Sequence, residues 1–229
     1  MSDEHTLAGP LFNPFASDEI TPAYSDHWEA RRRVAQALRD LTDVLVTSTP
    51  TTDQLHTIAD ALEAQAKSFS ESERIYGILG FTQNGNHGGF GEINHELNAV
   101  AGMSNPLSPG LNMWLEGTKA FGTVNFGYAY EGPPGFVHGG YVAAILDQFL
   151  GMAQMAGKNP GMTGTLSIRY HNPTPLNTDL KLKAAISKTE GRKSFLSGEI
   201  CADGIVTASC EGLFIRPSKG LPQMRNNNT

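Results

Sequence analysis

Length, composition and hydropathy exclude several classes of protein. The 229 residues are enough for one large domain, or for a domain of about 100–150 residues with an extension. They are 39% hydrophobic and 17% charged, which is typical of a soluble globular protein and not of a disordered chain. No apolar run reaches the ~18–20 residues of a membrane span, and the first ten residues lack the features of a secretory signal. We therefore expect a cytoplasmic protein.

The net charge of −6 is unevenly distributed along the chain. Residues 1–100 carry 6 basic and 15 acidic side chains, whereas residues 101–229 carry 11 basic and 8 acidic ones. An acidic protein is a poor nucleic-acid binder, so we predict no nucleic-acid partner. The mildly basic second half is compatible with binding of a phosphorylated ligand.

Two amphipathic helices are the first predicted elements, after residues 1–20, which look loose. The second helix is capped by Thr52 or Asp53, after the break "STPTTD". Apolar residues recur at helical spacing in each helix: Trp28, Ala35, Leu38, Leu41 and Leu45, then Leu55, Ile58, Leu62, Ala66 and Phe69. We predict a helical hairpin with one apolar face that needs something to pack against. The run Arg31-Arg32-Arg33 points around its helix, which favours a solvated surface over a phosphate site.

Residues 77–110 are rich in Gly, Asn and Pro and predict a long connection. This segment contains the triplet His87-Gly88-Gly89, which no long apolar helix follows, so we predict a flexible loop there. The spacing of His87, His95 and Glu96 matches no metal-binding motif, and we predict no metal site.

Beyond residue 110 the apolar period changes to two, which predicts β-strands that bury one face. The stretches concerned are "TVNFGYAYEG", "TLSIRYH", "LKLKAAIS" and the hairpin "SFLSGEICADGIVTASCEGLFI". Between the first and the others, residues 141–155 are apolar almost all round, from Tyr141 to Met155. A helix of that kind predicts an α+β fold in which a curled antiparallel sheet encloses one central helix. We expect the terminal residues 217–229 to be disordered.

The two cysteines lie in the predicted hairpin around the turn Asp203-Gly204. In that register Cys201 faces Val206 and Cys210 faces Ser197. The two thiols are then roughly 13 Å apart, too far for a disulfide. We predict two free cysteines.

The central helix carries the candidate catalytic residues. A carboxylate such as Asp147 inside an apolar helix costs several kcal/mol unless it is paired, which favours a functional role over a partly wet stripe. Gly139 and Gly140 stand at the helix start, where free amides can form an oxyanion hole; the alternative is a tight turn. His138 precedes them, and shaping of the turn with polarisation of a carbonyl is as compatible with the spacing as simple packing.

Three blocks in order resemble the hotdog-fold acyl-CoA thioesterases, in the branch that includes the PaaI-type and THEM-type enzymes. The blocks are "YEGPPGFVHGGYVAAILDQFLGM", "MTGTLSIRYHNPTPL" and "EGRKSFLSGEI". The resemblance covers about residues 104–216 and leaves residues 1–103 as a helical extension that a minimal hotdog unit lacks. It implies a curled antiparallel sheet around one helix. It also implies two chains paired edge to edge with the site between them, as a homodimer or a dimer of dimers.

The resemblance also implies roles for individual residues. The acid nine residues after the motif histidine, Asp147, is the nucleophile or general base, and the amide of Gly139 donates to the thioester oxygen. A hydroxyl sixteen residues later, on Thr163, orients water or substrate, with Thr165 as the fallback. The amide of Gly140 is a second candidate donor to the thioester oxygen. The carboxylate of Asp147 and the amides at the start of the same helix are then expected to act on one thioester. Arg192 and Lys193 resemble the contact region for coenzyme A phosphates, with a solvated hairpin turn as the alternative. No cofactor is implied, since coenzyme A is part of the substrate.

Two other functions stay open at this point. One is a hydratase or dehydratase on the same fold, although its usual local motifs are absent from the sequence. The other is a non-catalytic acyl-CoA sensor or scaffold whose helical half binds a partner. The acyl group cannot be identified from sequence, and Tyr141, Phe149 and Met152 fit core packing better than an acyl tunnel.

Overall fold

The computed structural model describes residues 15–218. The predictions for the first residues and for most of the terminal tail therefore lie outside the described residues. The helices and strands are α1 (Asp26–Thr47), α2 (Thr52–Ser70), α3 (Gly77–Asn84), α4 (Phe90–Leu97), β1 (Asn112–Glu116), β2 (Lys119–Val124), α5 (Gly139–Ala153), β3 (Met162–Tyr170), β4 (Leu180–Glu190), β5 (Lys193–Ala202) and β6 (Ile205–Ile215). Within residues 15–218, no helix is both long and apolar enough to cross a lipid bilayer.

The six strands form one antiparallel sheet in the order β1-β2-β4-β5-β6-β3. The sheet encloses α5, which buries Val142, Ile145, Leu146, Phe149 and Leu150. These positions recur at the spacing of one helix face, so burial of that face joins the helix to the sheet. The arrangement confirms the α+β class and the hotdog fold.

The two outer strands of the sheet differ in how their edges are covered. At β1, the amide of Leu115 donates to the carbonyl of Phe15 across 3.0 Å, so the N-terminal chain pairs with this edge. At β3, within residues 15–218, no strand pairs with the outer edge, and most residues of the strand are exposed. An open edge of this length is a site for pairing with another chain.

The central helix ends at Ala153 and is not buried all round. Tyr141 is 43% exposed and Asp147 lies on a half-exposed stripe, whereas Met155, 49% exposed, lies beyond the helix in the 3₁₀ turn Gln154–Gly157. The stripe exists because β3 is an edge strand, so the sheet does not cover this side of the helix.

The predicted strand "TVNFGYAYEG" is shorter than its alternation indicated. β2 ends at Val124, and Tyr128–Tyr130 form a short 3₁₀ turn. The Asp43 carboxylate on α1 accepts a hydrogen bond from the amide of Ala129, which replaces the strand partner that this amide would otherwise need.

The N-terminal helices form the predicted hairpin, and their apolar face is only partly covered. Thr51, rather than Thr52 or Asp53, caps α2 in a capping box with Gln54. Trp28 and Ala35 of α1 are buried, whereas every residue of α2 is exposed. The end of α1 and the start of α2 line an apolar groove of about 610 Å³.

Residues 77–110 are not a simple connection, because they contain α3 and α4. Trp28, Phe81 and Ile93 form a second small core there. The indole N–H of Trp28 donates to the carbonyl of His87 across 2.8 Å, and the ring of His87 packs edge-on against Phe81. The triplet His87-Gly88-Gly89 lies in a loop between α3 and α4, as predicted, and its flexibility stays a prediction.

The arginine run is not simply a solvated surface. Arg32 forms an ion pair with Glu96 across 2.7 Å, and the side chains are 12% and 2% exposed. Ser104 donates a further hydrogen bond to Glu96, so the carboxylate is satisfied by protein groups. Arg31 lies over the Trp28 ring at 5.2 Å, and Arg33 alone of the three is exposed. Within residues 15–218, no three His, Cys, Asp or Glu side chains gather as a metal site would require.

The cysteine hairpin follows the prediction with one shift of register. Cys201 pairs with Val206 as predicted, but Cys210 pairs with Gly198 and not Ser197, because a bulge follows Ile200. Both cysteines are free, and burial raises the pKa of Cys210 to about 12.

Candidate active site

The start of α5 leaves one amide available for a ligand. His138 is the N-cap residue, and its Nδ1 accepts the amide of Gly140 across 3.0 Å. The amides of Tyr141 and Val142 donate to the carbonyl of His138. Within residues 15–218, nothing accepts from the amide of Gly139, the first residue of the helix. Gly139 thus fits the predicted donor, whereas Gly140 does not, because its amide is already used.

Tyr170 holds the same turn from the end of β3. Its hydroxyl donates to the carbonyl of Gly139 across 2.9 Å, and its ring would be in ordinary contact with a side chain at that position. A cavity of about 350 Å³ opens here, lined in part by Gly139, Val142, Tyr170 and His171. Tyr170 was not among the site residues predicted from sequence, although the alternation of β3 placed it on the same face as Leu166 and Ile168.

Asp147 lies two turns further along the helix and is paired with a threonine. The hydroxyl of Thr163 donates to Oδ1 of Asp147 across 2.9 Å. The carboxylate is thus half-exposed and oriented by a hydroxyl, not buried without a partner, and the wet-stripe alternative describes its surroundings correctly.

A bulge in β3 separates the two candidate threonines. Thr163 pairs with Phe214 and Thr165 with Leu213, so Gly164 is the extra residue. Residues paired across strands share a face. Thr163 therefore shares the inner face with buried Phe214, whereas Thr165 is on the outer face. The fallback residue is turned away from Asp147.

One chain does not bring the acid and the free amide together. Asp147 lies eight positions after Gly139 on α5, which corresponds to ~12 Å along the axis at ~1.5 Å per residue. A thioester carbonyl bound to the amide of Gly139 is therefore out of reach of Asp147 in the same chain. The acid and the amide of a single chain therefore do not act on the same thioester, and the implied site between two chains stays a prediction.

The basic residues of the third block lie at the sheet end that holds Asp147. Met162, next to Thr163, pairs with Ile215, and Ile215 also pairs with Lys193. Arg192 and Lys193 are exposed, and Arg192 also donates to the carbonyl of Arg216 across 3.2 Å. Their position is compatible both with phosphate contact and with a solvated hairpin. Of the three acyl-tunnel candidates, Phe149 is fully buried core, Met152 is half-buried and Tyr141 is exposed.

Comparison of the sequence and the fold with those of known proteins identifies the family of this chain. The model of the thioesterase superfamily matches residues 134–209, which include α5, β3 and their candidate residues. The solved structure of thioesterase superfamily protein RHA08564 is 34% identical, has a TM-score of 0.70, and is matched over 85% of this chain and 97% of that one. That coverage exceeds residues 104–216, so part of the helical extension is shared.

The chain therefore belongs to the thioesterase superfamily. Among curated proteins it is 36% identical over 88 residues to acyl-coenzyme A thioesterase THEM4 of Xenopus laevis, covering 38% of this chain and 40% of that protein. It is 41% identical over 71 residues to THEM4 of Rattus norvegicus, covering 31% of this chain and 30% of that protein. The chain thus spans less than half the length of these curated relatives.

Proposed function

We propose that the protein is an acyl-CoA thioesterase that hydrolyses a thioester to a free acid and coenzyme A. The observation that carries the proposal is the Asp147–Thr163 pair on the open stripe of α5, inside the segment that matches the thioesterase family. The similar THEM4 proteins, which are named acyl-coenzyme A thioesterases, support the choice of substrate.

The site is composed of two subunits in this proposal. An antiparallel pairing of two β3 edges, with the two-fold axis near the middle of the strand, places Thr163 of one chain opposite Tyr170 of the partner subunit. Asp147 contacts Thr163, and Gly139 contacts Tyr170. The pairing therefore brings Asp147 of one chain near Gly139 of the partner, removes the open edge, and covers the half-exposed stripe of α5. A homodimer is the smallest assembly that contains a complete site.

The chemistry divides between these residues. The amide of Gly139 donates to the carbonyl oxygen as negative charge develops on it, and the helix N-terminus adds a favourable dipole. Asp147 either takes a proton from the attacking water or attacks the carbonyl to form a mixed anhydride. In both routes the C–S bond breaks and coenzyme A leaves as the thiolate. The new oxygen of the product acid comes from water directly, or from Asp147 when water opens the anhydride at the carboxyl carbon of Asp147 and restores that carboxylate. Thr163 orients the carboxylate.

The remaining groups bind the rest of the substrate. Arg192 and Lys193 contact the phosphates of coenzyme A from the sheet end near Thr163. No cofactor takes part in this chemistry, so chelation of metals should leave the rate unchanged. We also keep the prediction of a cytoplasmic location, which fractionation of cells would test.

The proposal is tested by a screen for coenzyme A release over short, long and aromatic acyl-CoA substrates, with hydration of crotonyl-CoA as a separate arm. Wild type should release coenzyme A from at least one substrate, and Asp147→Asn should lower kcat by about 100- to 10,000-fold. Asp203→Asn, which changes an exposed acid in the β5–β6 turn, should match wild type and is the control. Tight binding of acyl-CoA without release of coenzyme A, or hydration of crotonyl-CoA without release of coenzyme A, would contradict the proposal. A near-normal kcat for Asp147→Asn would contradict the assignment of Asp147.

A single turnover in ¹⁸O-labelled water tests for the anhydride route. If water opens the anhydride at the carboxyl carbon of Asp147, the label enters Asp147 and the product acid carries an oxygen from Asp147. General base catalysis, and attack of water on the acyl carbonyl of an anhydride, both place the label in the product acid alone. Label in the peptide that contains Asp147, read by mass spectrometry, would therefore establish the anhydride route.

A further inference from the structure

A carboxylate on α1 is one of the contacts between the helical extension and the hotdog domain. Asp43 lies near the end of α1, and its Oδ1 accepts the amide of Ala129 across 3.2 Å. Ala129 is the middle residue of the 3₁₀ turn Tyr128–Tyr130. Asp43 therefore holds the segment that leads from β2 towards α5.

Gly127 makes room for that carboxylate. Its φ of −75° is one that any residue adopts, so the backbone conformation does not require glycine. A Cβ at this position would instead overlap the carboxylate of Asp43. The glycine thus serves the close approach of α1 to the turn.

The turn is joined directly to the start of the central helix. The carbonyl of Tyr130 accepts the amide of His138 across 2.9 Å, and His138 is the N-cap residue of α5. The ring of Tyr130 also packs edge-on against Tyr141, with the ring centroids 4.8 Å apart. A displacement of the turn would move both His138 and Tyr141. Because Gly139 lies between these two residues in the chain, its amide would move with them.

We propose that Asp43 is a positioning residue for the oxyanion-binding amide of Gly139, acting through the Tyr128–Tyr130 turn. The inference rests on the proposed thioester hydrolysis and assigns the helical extension a role in it. Asp43 contacts no substrate atom in this account. It keeps the N-cap of α5 at the distance from the sheet at which the free amide meets the thioester oxygen.

The test compares four variants of the full chain by kcat and KM for coenzyme A release. Asp43→Ala should lower kcat by about 3- to 10-fold, less than the full loss of a hydrogen bond to a charged group because Asp43 acts only through the turn, and leave KM within two-fold. Asp43→Asn keeps an acceptor oxygen and should stay within two-fold of wild type. Gly127→Ala should resemble Asp43→Ala, because the new methyl group displaces the carboxylate. Asp40→Ala removes a neighbouring exposed acid that bonds Gln36 and should change nothing.

The double variant Asp43→Ala/Gly127→Ala gives the sharpest result. Once the carboxylate is absent, the methyl group has nothing to displace, so the double variant should be no slower than Asp43→Ala. If the loss of kcat in the double variant equalled the product of the losses in the two single variants, the inference would be overturned. A wild-type kcat for Asp43→Ala would also overturn it. If the substitutions acted by a general loss of fold, they would lower the stability of the variants, and the double variant would not match Asp43→Ala in kcat.

Hydrogen–deuterium exchange provides a readout that does not depend on turnover. Asp43→Ala should speed exchange in residues 128–142 and leave β4 to β6 unchanged. Unchanged exchange in residues 128–142 with an active wild type would overturn this inference alone. A wild type that releases no coenzyme A would contradict the proposed function, and with it the role assigned to Asp43.

Discussion

The hydroxyl of Thr163 is the part of the proposed site whose removal gives the most specific prediction. Thr163→Val keeps the shape of the side chain and deletes the hydrogen bond to Asp147, which spans 2.9 Å. A hydrogen bond to a charged group contributes about 1.5–3 kcal/mol, equivalent to about 10- to 150-fold in kcat if the whole bond acts in the transition state. Because the proposed site admits the attacking water, a water molecule can replace part of the bond. We expect a loss near the lower limit, about 10-fold.

The matched control for this prediction is the next threonine along β3. Thr165 lies two residues away, but the bulge at Gly164 turns it to the opposite face. Thr165→Val should therefore keep kcat within two-fold of wild type, and both variants should unfold at the wild-type temperature. The assay is steady-state release of coenzyme A with the best substrate of the screen. Equal losses in the two variants, or a wild-type kcat for Thr163→Val, would refute the reasoning.

Two further predictions concern the helical extension. Glu96→Gln leaves Arg32 buried without its counter-charge, so the free energy of unfolding measured in urea should fall by about 3–5 kcal/mol. The control Arg33→Gln should keep the free energy of unfolding within about 0.5 kcal/mol of wild type. Equal stabilities of the two variants would contradict this account of the ion pair. Burial, with a smaller contribution from Arg32, lowers the pKa of His95 from 6.5 to about 4. The unfolded chain therefore binds the proton first as the pH falls, and the stability present above pH 6.5 should decline by about 3 kcal/mol towards pH 4. His95→Gln should remove that part of the pH dependence and His56→Gln should not, as measured by unfolding between pH 7 and pH 4.

The relation between Asp147 and Thr163 was implied by the family resemblance, and the hydrogen bond between the two side chains agrees with it. The acid lies on the helix, the hydroxyl lies on the next strand, and sixteen residues join them through one turn. The alternation of Leu166, Ile168 and Tyr170 likewise gave the inner face of β3 correctly. It did not give the bulge at Gly164, because an extra residue leaves little trace in an apolar pattern.

The errors share a cause, which is contact between parts of the chain that are distant in sequence. Asp147 lies on a wet stripe because β3 is an edge strand, and strand order is not encoded in the period of a strand. The alternation through Tyr130 predicted a strand, but the carboxylate of Asp43 satisfies the amide of Ala129 instead. His87 is held by Trp28, a residue in another helix, so its surroundings could not be inferred from neighbouring residues.

The most direct test of the central claim is complementation between two inactive chains. Gly139→Pro removes the proposed donor at the first helical position, where proline is best tolerated, and the ψ of 131° at His138 suits a following proline. Asp147→Asn removes the acid. If each site takes Asp147 from one subunit and Gly139 from the other, a purified heterodimer of the two variants contains one intact site. It should then release coenzyme A at about half the rate of the wild-type dimer, as expected for one of two equivalent sites. A heterodimer as inactive as either parent would show that the acid and the amide act within one chain, and would contradict the account.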